Sequence, residues 1–145
     1  MIGATVACLF GFPFVAGAAA VLTFATTTGA WANWTAYNWV GNQGKMSQQW
    51  VDESYNEINF TNCTEVYGRK SVNVELWQQI DWGRDKMHDS SKFTNCFKSK
   101  TQKSTATETG LPRDSYYFRI GDIGSGCISC AVAVGKVNID TTKAD

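Results

Sequence analysis

Hydrophobic and polar positions divide the chain into an uncharged apolar head and a body that carries every charged side chain. Residues 1–32 contain no Lys, Arg, Asp, Glu or His, and the first charged residue is Lys45. Residues 2–25 are almost all apolar or small, and about 20 such residues are enough to span a bilayer. The pattern predicts an apolar head, 1–32, followed by one domain, 33–145.

The head has three interpretations. Ala30-Trp31-Ala32 fits the small-x-small cleavage pattern of an export signal, although no basic residue precedes the apolar run. A membrane span is weakened by several glycines and by Pro13, and no basic cluster nearby fixes its orientation. A retained Gly/Ala-rich helix that is hydrophobic all round can be buried in a fold or enter lipid. The cleavage pattern favours the export signal, and the other two interpretations stay open.

Periodicity in the body predicts two strands, a helix and a loop. Alternation over 55–67 predicts a strand, and a second, short strand is expected over 93–97. The polar stretch 98–110 predicts a mobile loop. A helix is predicted over 72–88 because its large apolar residues have roughly helical spacing: Val72, Leu76, Ile80 and Met87.

The end of the chain predicts an antiparallel hairpin. Two β-like runs, 116–120 and 127–140, flank the Gly-rich turn 121–126. Residues 131–134 are apolar on both faces, so this strand is expected in the middle of a sheet, covered by a helix. The predicted fold class is α+β: an antiparallel β-sheet packed by one or two α-helices, an α/β sandwich tied by disulfides.

Cysteine number and spacing indicate a disulfide framework. The chain has five cysteines, and cleavage after Ala32 would remove Cys8 and leave an even number for two bridges: Cys63, Cys96, Cys127 and Cys130. The favoured arrangement joins Cys127 and Cys130 separately to Cys63 and Cys96, and the sequence does not assign the partners. A redox site would place the C-x-x-C at a helix start, and a zinc site would need two further ligands.

Three Asn-x-Ser/Thr sequons support a secretory route and are candidate glycosylation sites: Asn33, Asn59 and Asn62. Together with the export-like head and the disulfides they predict a secreted, extracellular protein. The tetrapeptide Phe-Thr-Asn-Cys occurs at 60–63 and again at 93–96. It either marks two strands of equivalent geometry, each carrying a bridge partner, or is a coincidence.

Charge and motifs argue against nucleic-acid binding and against an enzyme. Thirteen basic and thirteen acidic side chains give a net charge of zero, whereas nucleic-acid binders show a basic excess. No nucleophile, phosphate-binding or metal-binding motif is present, so no catalytic residue, metal site or cofactor is assigned. Four titratable residues share helical spacing and form either an acid–base pair or, the favoured alternative, a solvated polar face: Asp81, Asp85, His88 and Asp89.

Aromatic residues crowd the junction between head and body: Trp31, Trp34, Tyr37, Trp39 and Trp50. Packing in a core is the favoured interpretation of this cluster. An interfacial belt beside a membrane segment is the second. A platform for sugar rings is the third.

The overall layout resembles small secreted yeast killer toxins of the salt-mediated type. The shared pattern is an uncharged helix, GATVACLFGFPFVAGAAAVLTFA, followed by a disulfide-tied body that ends in SYYFRIGDIGSGCISCAVAV. The resemblance implies an α/β sandwich and killing by damage to the plasma membrane of target cells. A retained head would then contact the membrane through its large apolar side chains and the tryptophans that follow: Phe10, Phe12, Phe14, Leu22, Phe24, Trp31 and Trp34.

A second function fits the same sequence. If residues 1–32 are only a signal peptide, the body is a secreted effector or binding module that recognises a protein or a glycan. Its contacts would come from the aromatic cluster 34–50 and the loop 98–110. Under either function the partner is a target-cell membrane or a cell-surface component.

Overall fold

The computed structural model describes residues 33–65 and 67–142 of the chain. These residues form six β-strands and, between the fourth and fifth strands, one 3₁₀ turn at Asn95–Phe97. The strands are β1 (Trp34–Asn42), β2 (Trp50–Glu65), β3 (Val72–Gln78), β4 (Lys86–Phe93), β5 (Lys103–Ile123) and β6 (Ala131–Asp140).

All six strands belong to one sheet, in which every neighbouring pair is antiparallel. The strand order is β1-β6-β2-β5-β3-β4. The long strand β5 pairs with β2 between Lys103 and Tyr116 and with β3 between Tyr116 and Ile123. Tyr116 is therefore the point at which β5 passes from one half of the sheet to the other.

The sheet curls into two layers that enclose the core. We call β1, β6, β2 and the first half of β5 layer A, and β3, β4 and the second half of β5 layer B. The Phe60 ring of β2 packs edge-on against Phe93 of β4 at 5.1 Å and Phe118 of β5 at 5.3 Å. Trp39 of β1 also contacts Phe118, at 5.2 Å. These ring contacts bring distant strands of the sheet face to face across the core.

Residues 43–48, which we call the strap, extend layer B by one short segment. Gly44 N–H donates to the carbonyl of Ile120 at 2.7 Å, and Ser47 N–H donates to that of Phe118 at 2.9 Å. The strap therefore satisfies backbone groups of β5 on the side opposite β3, where the sheet would otherwise present an unpaired edge.

Strands β1, β6 and β2 lie side by side in layer A. In each of them the alternate residues that face the core change from one set to the other, and the change occurs at the same level of the sheet. In β6 the buried residues are Val132 and Val134 before Gly135, but Val137 and Ile139 after it. Asn38 in β1 and Asn62 in β2 lie opposite Gly135, with left-handed φ values of 52° and 57°. Each of the three strands thus holds one extra residue at this level. Because the extra residues lie opposite one another, the strand pairing continues in register, while the other alternate set of residues now faces the core.

The described residues contain two disulfides, and their pairing differs from the predicted one. Cys63 bonds to Cys96 and Cys127 bonds to Cys130, so the prediction that Cys127 and Cys130 bridge separately to the other two was wrong. Cys63 and Cys96 are both buried, and their bond joins β2 in layer A to the 3₁₀ turn after β4. The two Phe-Thr-Asn-Cys segments therefore meet twice, through this bond and through the contact of their Phe rings.

The predicted α+β class was wrong, because the described residues contain only strands and one 3₁₀ turn. In the described part of the chain no helix covers the sheet, and the second layer is the other half of the same sheet. The stretch predicted as a helix, 72–88, forms β3, a turn and the start of β4. Val72, Val74 and Leu76 point into the core with a period of two, and their pairing with β5 determines the conformation.

Three further local predictions differ from the structure in physically clear ways. Most of the loop predicted at 98–110 forms the first half of β5 instead. Its Ser and Thr side chains alternate between the core and the outer face, as the residues of a strand do. The predicted hairpin does not form, because β2 lies between β5 and β6 and pairs with both. The strand predicted at 93–97 ends at Phe93 and continues as the 3₁₀ turn. The strand predicted over 55–67 is confirmed by β2.

The membrane-related predictions fall largely outside the described residues. This holds for the head, 1–32, and for six of the seven residues expected at a membrane. The seventh, Trp34, is half-buried, with its ring stacked on Phe118 at 6.2 Å and tilted against Trp50 at 6.3 Å. Among the described residues, no helix has the length and apolar character needed to cross a membrane.

Candidate functional site

A polar depression of about 290 Å³ lies on the outer face of layer B, and we call it the Glu75 depression. The strap, β3 and the second half of β5 form it. Its lining residues are Gln43, Gly44, Asn73, Glu75, Arg119, Ile120, Gly121 and Asp122. Because β3 alternates strictly, Val72, Val74 and Leu76 fill the core while Asn73, Glu75 and Trp77 stand on the outer face.

Glu75 is held by two donors on one of its oxygens. Oε2 accepts hydrogen bonds from Trp77 Nε1–H at 2.9 Å and from Arg119 Nε–H at 2.8 Å. The Arg119 guanidinium also lies over the Trp77 ring, with Cζ 4.3 Å from the ring centroid. The side chain of Glu75 is 16% exposed and that of Arg119 is 38% exposed. The carboxylate is therefore fixed in position while it still borders the depression.

Gly121 forms the floor of the depression, and the absence of a side chain there leaves room for Glu75 and Asn73. A Cβ atom at this position would lie 2.9 Å from Glu75 Oε1 and 3.2 Å from Asn73 Cβ. The register between β3 and β5 shifts between Val72 and Val74, so Gly121 and Asp122 form a bulge opposite Asn73. Bulges of this kind redirect side chains beside functional sites.

The strap closes the opposite side of the depression. Gln43 Nε2–H donates to Asp122 Oδ1 at 3.0 Å, which links the strap to the bulge. Backbone pairing of Gly44 with Ile120 fixes the strap next to this bond. Carboxylate and amide groups from three separate segments therefore converge on one open space.

These groups can bind a ligand that carries several hydroxyls. Carboxylates only accept hydrogen bonds, amides accept and donate, and the Arg119 guanidinium donates. Hydroxyl groups can serve all three types because each has one donor and two acceptor sites. Trp77 adds apolar ring surface beside the polar groups. In ligand sites a few precisely placed polar groups fix the orientation of the ligand.

Tyr117 and Asp85 stabilise the layer beside the depression. Tyr117 lies opposite Trp77 in the register, and its hydroxyl donates to Asp85 Oδ2 at 2.7 Å. Burial, together with this bond to the carboxylate, raises the pKa of Tyr117 to about 12. The Ile80 N–H and then the Tyr117 hydroxyl lower the pKa of Asp85, because both donate to its charged form.

The titratable residues that were expected on one helix face are separated by the strands. Asp85 is bonded in the turn, and Asp89 Oδ2 accepts from the Ser91 hydroxyl. His88 Nε2 lies 2.8 Å from Gln78 Oε1, a contact to an amide and not to a carboxylate. Burial, followed by the positive charge of Lys86, lowers the pKa of His88. The structure therefore does not bring His88 into the acid–base pair that the spacing allowed.

The cysteines and acidic residues form no metal centre in the described ranges. Cys127 and Cys130 are bonded to each other, so neither thiolate is available as a ligand. No group of three or more His, Cys, Asp or Glu side chains in residues 33–65 and 67–142 has the arrangement of a metal site.

The three sequon asparagines have different environments. Asn33 is exposed, and its Oδ1 accepts from the N–H of Thr141. Asn59 is 5% exposed, with its amide group donating to Glu57 and its carbonyl accepting from Thr105. Asn62 is half-buried, next to Gly135. Glycosylation stays a prediction at all three positions, and Asn33 offers the best access to an enzyme.

Of the residues that line the Glu75 depression, only Gln43 and Gly44 fall within the predicted contact segment 34–50, and none of those on β3 and β5 was indicated as a site residue. Glu75 and Trp77 lay in a predicted helix, Arg119 in a predicted strand, and Gly121 in a predicted turn. The missed signal was the strict alternation in VNVELWQ, which places Asn73, Glu75 and Trp77 on one face of a strand. Among the junction aromatics, Trp50 is buried in the core, Trp34 and Trp39 are partly buried and pack against it, and Tyr37 is 69% exposed. Trp31 lies outside the described residues.

No protein-family model matches the chain, and no curated protein sequence matches it significantly.

Proposed function

We propose that this protein is an exported binding module that recognises a glycan through the Glu75 depression. The observation that carries the proposal is the fixed Glu75–Arg119–Trp77 group beside the Gly121 floor. Glu75 keeps one oxygen toward the depression while the other is bonded to Trp77 and Arg119. A site that is ordered before binding loses less conformational entropy when the ligand arrives.

The rest of the molecule suits this role. A sheet in two layers, joined by the buried Cys63–Cys96 bond, is a stiff support for a surface site. Disulfides form and persist in oxidising compartments, which supports export. A glycan on a cell surface is a partner that an exported module can reach.

A glycan array with fluorescently labelled protein tests the proposal. The variant Glu75→Gln removes the negative charge to which the hydroxyl groups of a glycan would donate hydrogen bonds. It keeps nearly the same side-chain shape. We expect about tenfold weaker binding to the selected glycan, since hydrogen bonds to charged groups are stronger than neutral ones. The matched control is Glu53→Gln, an exposed position on β2. Equal binding by Glu75→Gln and the native protein would exclude the depression as the site.

A membrane-directed action, as in the killer toxins that the sequence resembles, is a second candidate. The observation that favours it is Trp82, which is 98% exposed at the tip of the β3–β4 hairpin. Asp85 holds this tip by accepting from the Ile80 N–H at 3.0 Å and from the Tyr117 hydroxyl. Tryptophan prefers the boundary between water and lipid.

Dye release from lipid vesicles tests the second candidate. We expect the full chain to release dye and Trp82→Ser to release less, while Tyr67→Ser, at another exposed aromatic in a turn, behaves as the native protein does. No release by the full chain from vesicles of any charge would remove this candidate.

A further inference from the structure

A second polar depression, of about 270 Å³, lies on the outer face of layer A. It is separate from the Glu75 depression and is formed by the outward-facing side chains of β5, β2 and β6. The proposed function does not use it. Its composition differs as well, because it holds two lysines and two carboxylates, whereas the Glu75 depression holds one arginine and two carboxylates.

The strand register arranges these charges in rows. Thr61 of β2 pairs with Lys103 of β5 on one side and with Lys136 of β6 on the other. Four residues earlier on β2, Glu57 pairs with Asp140 of β6. Rows two residues apart are separated by about 6.6–6.8 Å along the strands. The depression therefore has an ammonium end and a carboxylate end.

The row between the two charged ends is neutral and polar. Asn59 of β2 lies opposite Asn138 of β6 and accepts a hydrogen bond from the Thr105 hydroxyl at 2.7 Å. Asn138 donates to the Thr35 hydroxyl at 3.1 Å. These bonds hold the two amides in place between the charged rows.

Glu57 is the best-fixed group of the depression. Its Oε2 accepts from the Tyr55 hydroxyl at 2.5 Å, and its Oε1 accepts from Asn59 Nδ2–H at 2.8 Å. Only 6% of Glu57 is exposed, although it stands on the outer face of the sheet. Burying a carboxylate is costly, and a threonine would serve a purely structural role at this position better.

Lys103 already leans toward the carboxylate end. Its Nζ lies 3.7 Å from Glu57 Oε1, and its side chain is 57% exposed. An ion pair with one exposed partner contributes little to stability, so a ligand can replace it at a small cost in free energy. Lys136 is exposed as well and can turn toward an anionic group.

We propose that this depression binds a zwitterion, in which an ammonium group and a carboxylate or phosphate are a few bonds apart. The anionic group would lie between Lys103 and Lys136, and the ammonium would lie against Glu57 and Asp140. A simple anion would meet two carboxylates and a simple cation two lysines, so only a ligand with both charges is complementary to both ends. Such a group occurs free in solution and as the head group of zwitterionic lipids.

Isothermal titration calorimetry of the full chain tests the proposal. O-phosphoethanolamine is the zwitterionic probe, and inorganic phosphate and ethanolamine carry its separate charges. We expect the zwitterion to bind about tenfold more tightly than either separate ion, since each end adds its own contacts. Equal affinity for phosphate and for the zwitterion would overturn the proposal, as would the absence of binding by the zwitterion.

Two variants locate the binding. Glu57→Gln keeps the size of the side chain but removes the charge, and Lys136→Ala removes one ammonium from an exposed position that folding does not require. Both are expected to weaken binding of the zwitterion about fivefold or more, whereas Glu53→Gln leaves it unchanged. Unchanged affinity in Lys136→Ala would contradict the proposal even if Glu57→Gln did not fold.

Vesicles identify the source of the ligand. Binding of O-phosphoethanolamine together with co-sedimentation with phosphatidylethanolamine vesicles would assign a lipid head group. Binding of the soluble probe without co-sedimentation would assign a free zwitterion.

Discussion

At the scale of single residues, small changes of side-chain volume or charge decide what the outer faces can bind. Gly121 is an example, because one added methyl group would occupy the floor of the Glu75 depression. Glu108 shows the effect of a single charge on stability, because its carboxyl group is half-buried near Asp89 and Asn56 at one end of the core. Both positions give direct tests.

Replacing Gly121 with alanine is expected to block glycan binding without unfolding the protein. The new Cβ would lie 2.9 Å from Glu75 Oε1, so the carboxylate must move from the position in which Trp77 and Arg119 hold it. We expect about tenfold weaker binding on the glycan array. Thr107→Ala, at an exposed position in the other half of β5, is the control, and unchanged binding by Gly121→Ala would argue against the depression.

Replacing Glu108 with glutamine is expected to stabilise the protein at neutral pH. Burial and the nearby charge of Asp89 raise the pKa of Glu108 above its usual value of 4.5. The folded state therefore binds this proton more tightly than the unfolded state, and stability is lost as the pH rises through the raised pKa.

Thermal melts across a pH series measure this effect. Glu108→Gln should melt at a higher temperature than the native protein at pH 7, and the difference should shrink as the pH falls below the pKa of the folded state. A difference that does not depend on pH would mean that the charge of Glu108 is not the cause.

At the scale of elements, three strands and two disulfides determine how layer A bends and how it is joined to layer B. The change of parity at Asn38, Gly135 and Asn62 was hidden in the sequence, because each strand alone shows broken alternation. In β6 the buried residues Val132 and Val134 are followed by Val137 and Ile139, whereas the prediction of a strand apolar on both faces rests on residues 131–134 alone. Only the pairing of all three strands shows that the break is shared.

Gly135 has to remain small for this shared bend to form. An added Cβ would lie 2.7 Å from Asn62 Nδ2 and 3.0 Å from Asn62 Cβ. We expect Gly135→Ala to cost about 1–3 kcal/mol in urea unfolding, as overpacking does. Lys136→Ala, one residue further and exposed, should change stability by less than about 0.5 kcal/mol. A neutral Gly135→Ala would contradict the close approach of β6 and β2.

The two disulfides should contribute unequally to stability. Cys63 and Cys96 are 33 residues apart, so their bond restricts the unfolded chain strongly, whereas Cys127 and Cys130 are three apart. Removing the first by Cys63→Ala with Cys96→Ala should cost about 2–4 kcal/mol, and removing the second should cost less. Urea unfolding of the two double variants measures both, and a larger loss from Cys127→Ala with Cys130→Ala would reverse this ranking.

Strand β2 could be predicted from local alternation, whereas in β3 the alternation coincides with a helical spacing and in the first half of β5 apolar residues are too few to show it. In β3, Val72 and Leu76 satisfy a helical and a strand period at once, and only pairing with β5 decides between them. In β5, Ser104 and Ala106 face the core although neither is strongly hydrophobic. Their burial depends on β2, which is far away in sequence.

At the scale of the whole molecule, both depressions are formed by residues that are far apart in sequence and that the strand order brings together. Local sequence patterns carry no information on such contacts. The Glu75 depression joins the strap to β5 through the bond from Gln43 to Asp122, which are 79 positions apart. The depression of layer A joins β2 to both β5 and β6. Because β2 separates β5 from β6, no hairpin of neighbouring strands could have indicated either site.

The pairing of charged side chains also depends on the strand order. A net charge of zero argues against an overall basic surface, but it gives no information on how the charges pair. In the folded sheet, Arg119 pairs with Glu75 on layer B and Lys103 with Glu57 on layer A. Each depression is built around one of these pairs, which links the two proposed ligands to the fold.

The indole N–H signal of Trp77 in a ¹H–¹⁵N NMR spectrum is the most direct test of the central claim that the Glu75 depression binds a glycan. This N–H donates to Glu75 Oε2, so any ligand that engages the carboxylate must alter its environment. On titration with the glycan selected by the array, we predict that the Trp77 signal shifts and saturates with the binding curve, while that of the exposed Trp82 does not move. Saturable binding that leaves the Trp77 signal unchanged would contradict the account.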